Sequence, residues 1–193
     1  LLPTDKCIGL QDFPRYYQKF GYQTSQLYYH QEICPGVQLI GLNSNLFDAA
    51  GNQLGCVDET QLSWLETLLS DLKDQITLVM IHHNVIEHLP GQTEHELGKR
   101  YMLDNAPLLL KLLRQGGVKF IFTGHLHIQD IAYDEGIYEI TTGSLVSYPH
   151  PYRIIDFHAN GKGNQELNIT SHRIKQVAGW DNLSEVSRTW MGN

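Results

Sequence analysis

"VKFIFTGHLHIQDI", Val118 to Ile131, is the stretch on which the reading of this chain turns. It opens on a short apolar run, Val118 to Phe122, rich in β-branched and aromatic residues, which reads as a buried strand. Gly124 ends the run, and two histidines follow it, one residue apart. In a straight strand, residues i and i+2 share a face. A sharp turn at Gly124 would instead fan His125 and His127 apart, so that they could serve two neighbouring metal ions.

The segments upstream give the strand its context. "APLLLKLLRQGG" (Ala106 to Gly117) reads as a helix, with Pro107 in its first turn and Gly116-Gly117 as its stop. Before it, "ITLVMIHHN" (Ile76 to Asn84) reads as a second short buried strand, Ile76 to Ile81, that runs into His82-His83. Strand, helix, strand is the parallel crossover unit, in which both strands point the same way. Residues just past both strands then lie at the sheet edge where open α/β sheets place their ligands. The topology thus gathers His82, His125 and His127, and neutral imidazole is a good ligand for Zn, Mn or Fe.

The rest of the chain fits around this unit. "DETQLSWLETLLSDLKD" (Asp58 to Asp74) is the clearest helix, capped by Asp58 with Gln61 placed as in a capping box. Leu62, Leu65, Leu69 and Leu72 form its apolar stripe. "VQLIGLNS" (Val37 to Ser44) reads as a buried strand and Tyr28 to Cys34 as another, joined by a Pro35-Gly36 turn. Asp12 to Phe20 reads as a short helix stopped by Gly21, and Asn45 to Val57 as a loop. After Thr123 the pattern changes to two hairpins, one turning at Asp134-Glu135-Gly136 and one at Asn160-Gly161. The expected class is therefore α/β, with crossover units followed by antiparallel hairpins. Residues 1–174 read as one domain and 175–193 as a polar tail, with Trp180 and Trp190 as docking anchors.

Bulk properties exclude several classes. The chain has 193 residues, 41% hydrophobic and 18% charged, enough for a globular core. No apolar run approaches the ~20 residues of a membrane-spanning helix. The net charge of -7, with no basic stripe, argues against a long nucleic acid as partner. Cys7, Cys34 and Cys56 show neither a zinc spacing nor a disulfide framework, which points to a reducing, cytoplasmic setting. No nucleophile elbow, Walker A loop or G-x-G-x-x-G stretch is present. His30, His158 and His172 read as ordinary strand or surface residues. His88 and His95 lie in the long loop from Asn84 to Asp104, and His150 stands between prolines. Lys99 and Arg100 in that loop could meet a phosphate, but a solvated pair is the simpler reading.

"LVMIHHN", "FTGHLH" and "GLNS" followed by "DETQLSWLETLL" together resemble the calcineurin-like metallophosphoesterases over Val37 to Ser44 and onward to Ser144. The resemblance implies a four-layer α/β/β/α sandwich and a dinuclear site that hydrolyses a small phosphoester with a metal-bridging hydroxide. By that resemblance His82 and His125 are ligands of the second metal and His127 of the first, with Mn, Fe or Zn as the ions. His83 and Asn84 would contact substrate or support the ligands, although Asn84 stands where the family often has proline. The family's earlier motifs, D-x-H, G-D-x-x-D and G-N-H followed by an acid, do not occur here. They hold the bridging Asp and the general-acid His. The resemblance thus implies the second half of such a domain, nearly inactive alone, binding one metal weakly or none, and self-associating through exposed strand edges. Two rival readings use the same residues: a mononuclear three-His zinc hydrolase, and a scaffold that keeps the fold without the chemistry.

Overall fold

The computed structural model describes residues 9–47, 53–159 and 165–191. The expected first helix is a broken one: a 3-10 turn at Leu10–Asp12, α1 (Phe13–Tyr16), then a 3-10 turn at Gln18–Phe20. Gly21, at φ 112, stops it as expected, but Asp12 makes no side-chain cap. β1 (Tyr29–Cys34) and β2 (Val37–Gly41) pair antiparallel around Pro35-Gly36. The stretch read as a loop holds a small hairpin, β3 (Asn45–Phe47) and β4 (Gln53–Gly55). α2 (Glu59–Asp71) follows, and Asp58 accepts the Gln61 backbone N–H at 2.8 Å, as a cap should.

β5 (Ile76–Met80) then lies parallel to β2. After a 3-10 turn at Gln92–Glu94 and the short α3 (Glu96–Lys99), α4 (Ala106–Gln115) returns the chain to β6 (Phe120–Thr123), parallel to β5. β7 (Asp130–Asp134) and β8 (Ile137–Thr141) form a hairpin whose two turn residues, Glu135 and Gly136, both have positive φ (42 and 94), as type I′ turns require. The sheet order is β1-β2-β5-β6-β8-β7, a mixed α/β arrangement.

The chain divides into two compact units. The first takes in the described residues up to Thr123 together with Ile131–Ile140. Its core is built by the stripes of the two long helices against the sheet. Leu65 of α2, Leu109 and Leu113 of α4, and Ile40, Val79 and Ile121 of the strands are all 0% exposed. Each such side chain contributes roughly 1.5–3 kcal/mol relative to leaving it in water.

The second unit takes in Gly124–Asp130 and the described residues from Thr141 on. Its main element is the antiparallel pair β9 (Pro151–Ala159) and β10 (Gln165–Arg173). The turn expected at Asn160-Gly161 lies outside the described residues, as does Cys7. Residues 183–191, read as part of a polar tail, form α5 (Leu183–Met191). It docks through Leu183 and Ser187, both buried. The Trp180 and Trp190 rings meet edge to face at 5.0 Å. His150, buried, donates from Nδ1 to the Leu145 carbonyl at 3.1 Å, and its Nε2 shares a 2.8 Å hydrogen bond with the Ser187 hydroxyl. No described helix is long and apolar enough to cross a membrane.

The capping box is only half made. The fully buried Gln61 side chain turns away from the helix start and pairs with both backbone groups of Asn43, each at 2.8 Å. Gln61→Leu keeps the volume and leaves both groups unpaired, so we expect a loss of about 2–3 kcal/mol in urea denaturation. An unchanged midpoint would contradict this role.

Candidate functional site

The two strands expected to lead to the histidines are neighbours in the first unit. Leu78, Val79 and Met80 of β5 face Phe120, Ile121 and Phe122 of β6 in parallel register. One further bond, from the Ile81 N–H to the Phe122 carbonyl at 3.0 Å, extends the ladder past the strand end. His82 follows, two residues beyond β5, and is exposed. Its ring meets that of His83 edge to face at 5.2 Å.

Gly124 to His127, two residues beyond β6 at His125, open the second unit. Here the bend falls on the histidines and not on the glycine. His125 has φ 58 and His127 φ 56, while Gly124 is not among the positive-φ residues. The Leu126 N–H donates to the Gly124 carbonyl at 2.6 Å across His125, the pattern of the rare γ-turn with a positive central φ. Histidine tolerates this backbone better than most side chains, yet it remains uncommon outside glycine. Neighbours within the unit pin the turn. Thr141 Oγ1 donates to the Gly124 carbonyl at 3.1 Å, and a Cβ on Gly143 would stand 3.2 Å from the His127 carbonyl oxygen. Arg153 bridges the Asp130 and Thr141 carbonyls at 3.1 and 2.6 Å. Burial pulls its guanidinium below the usual value, against the opposing pull of Asp130.

His83 and Asn84 point inward. His83 is 2% exposed, and its Nδ1 shares a 2.8 Å hydrogen bond with the Ser44 hydroxyl. Asn84 is 0% exposed, and its Nδ2 donates to Glu139 Oε1 at 2.6 Å and to Thr123 Oγ1 at 2.9 Å. Sequence reasoning missed Glu139, a carboxylate of β8 that is 0% exposed. It accepts from Asn84 and from the Thr123 hydroxyl at 2.7 Å, and from the Val85 and Ile86 N–H groups at 2.9 and 2.6 Å. His88, read as a loop histidine, also reaches it, with Nε2 at 3.2 Å and its side chain fully buried. The available signal was a charged residue in a strand two places from Ile137 and Thr141, both buried.

Other candidates lie elsewhere. His95, Lys99 and Arg100 are exposed, as are His30 and His158. Beside the Glu139 cluster, a cavity of about 590 Å³ in the first unit is lined by Val85, Ile86, Glu87, Met102, Leu103 and Tyr133, among others. Hydrogen bonds from Thr93 hold the Glu87 carboxyl below its usual range. Burial, helped by Asp104 and Asp58, pushes the Cys56 thiol up, opposite to what a nucleophile needs. Among the described residues, no three or more His, Cys, Asp or Glu side chains form a group that could hold a metal ion.

No protein-family model matches the chain, and no curated protein matches it. Among solved structures it is similar to GAP50, the anchor in the inner membrane complex of Plasmodium, at 19% identity and TM-score 0.45, over 64% of this chain and 39% of that one. It is also similar to a Staphylococcus aureus protein named as a candidate 5'-nucleotidase and solved with alpha-ketoglutarate, at 13% identity and TM-score 0.46, over 86% of this chain. The chain spans 39% and 33% of the lengths of these two proteins.

Proposed function

We propose that the chain carries the imidazole share of a metal-dependent phosphoesterase site, with His82, His125 and His127 as ligands and a small phosphoester as substrate. One observation carries the reading. β5 and β6 are parallel neighbours in register, and each is followed after the same two-residue step by a histidine. Parallel strands release the chain at the same sheet edge, the one at which α/β sheets bind ligands. The left-handed backbone of His125 and His127 supports it, because such conformations in non-glycine residues gather at binding and catalytic sites.

Charge sets the limit on what the three side chains do alone. Two divalent ions about 4 Å apart repel by roughly 16 kcal/mol at an effective dielectric of 20. Neutral imidazoles do not offset that. In this reading hydrolysis needs carboxylate ligands beside the three imidazoles and belongs to the completed site.

The test assays the protein at full natural length beside the 193-residue chain, using a generic phosphodiester and Mn²⁺. The reading expects turnover from the former, abolished by His125→Ala, and almost none from the latter. Comparable turnover by the 193-residue chain contradicts the shared site. Absence of turnover from both contradicts the phosphoesterase reading.

A further inference from the structure

We propose that Glu139 is a positioning residue: its buried carboxylate locks together the exits of β5 and β6, the two backbones from which His82 and His125 follow. The β5–β6 ladder ends with the Ile81-to-Phe122 bond, one residue before His82. Beyond that point no further backbone rung joins the two strands among the described residues, and side chains centred on Glu139 of β8 span their exits.

Its two oxygens divide the task. Oε2 accepts the consecutive N–H groups of Val85 and Ile86, at 2.9 and 2.6 Å, which makes a small anion-binding nest just past His82-His83. Oε1 accepts from Asn84 at 2.6 Å, from Thr123 at 2.7 Å and from His88 at 3.2 Å. Asn84 belongs to the β5 exit and Thr123 is the last residue of β6, so one oxygen ties both. Asn84 also donates to Thr123 directly, at 2.9 Å, and its own Oδ1 is buried with no partner among the described residues. The amide is therefore committed to this geometry at some cost elsewhere. From the other side, Asn84 is fixed by its backbone bonds to Tyr101 and Leu103, at 2.9 and 2.8 Å. An ionised carboxylate can only accept, so His88 must present Nε2–H. Charge-assisted bonds of this kind are about twice as strong as neutral ones. That the clamp serves a reactive centre rests on the phosphoesterase reading; the clamp itself does not.

The experiment is NMR on the 193-residue chain and its Glu139→Gln variant. We expect amide exchange at Val85 and Ile86 to rise by about tenfold or more, with Ile40 and Val79 unchanged. We expect His88 to lose its Nε2–H tautomer, and the His82 imidazole signals to shift while those of exposed His30 stay put. Thr123→Val removes one donor and should give a smaller rise at the same two amides, which keeps the test alive if Glu139→Gln does not fold. Unchanged Val85, Ile86 and His82 signals would overturn the proposal, and so would a rise in exchange spread evenly over the first unit. Local loosening without phosphodiester turnover in the full-length protein refutes the functional reading and leaves the clamp standing.

Discussion

A carboxylate taken wholly out of water costs several kcal/mol unless donors replace its hydration, and Glu139 is such a group. The arrangement of the first unit around the β5 exit follows from meeting that demand. The segment from Asn84 to His88 must turn toward β8 so that two backbone N–H groups and two side chains can reach it. Once turned, the segment pulls the long loop after it into order. Gln92, 3% exposed, accepts from the His88 and Leu89 N–H groups, and Asn84 bridges in parallel to Met102. A stretch with little hydrophobic periodicity is thereby folded by polar contacts.

The hydrophobic layer supplies the frame in which those contacts are possible. α2 and α4 bury their leucine stripes on the strands β2, β5 and β6, which fixes the parallel register. The β3–β4 hairpin then packs close to the inward-facing His83, where a Cβ on Gly55 would stand 2.8 Å from the imidazole ring. Ser44, buried just before that hairpin, supplies the hydrogen bond that orients the ring. The histidine pair after β5 is therefore split by burial. His83 is held inside by Ser44, and His82 is left to face outward.

What the sequence disclosed depended on range. α2, α4, β5, β6 and the β7–β8 hairpin announced themselves through local period, caps and turn residues, and the order of these elements implied the crossover. The β3–β4 hairpin did not, because three-residue strands are too short to show alternation. α5 reads as polar because its docking depends on one leucine and on a His150–Ser187 bond spanning 37 residues. Glu139 and His88 were hidden for the same reason, being partners 51 residues apart. The bend in G-H-L-H was expected and its location was not. Glycine is the usual place for such a bend, but here a γ-turn at His125 carries it. Where the three candidate histidines stand in the chain was legible; the Glu139 network beside the exits of β5 and β6 was not.

The phosphoesterase proposal makes His82 and His125, which follow adjacent parallel strands, ligands of the same ion. A double-mutant cycle on Zn²⁺ affinity, run on the full-length protein with His82→Ala, His125→Ala and both, tests it most directly. The account predicts that each single change weakens binding by more than about tenfold. It also predicts that the double change costs clearly less than the sum of the two. Two additive losses, or affinity unchanged by either substitution, would contradict it.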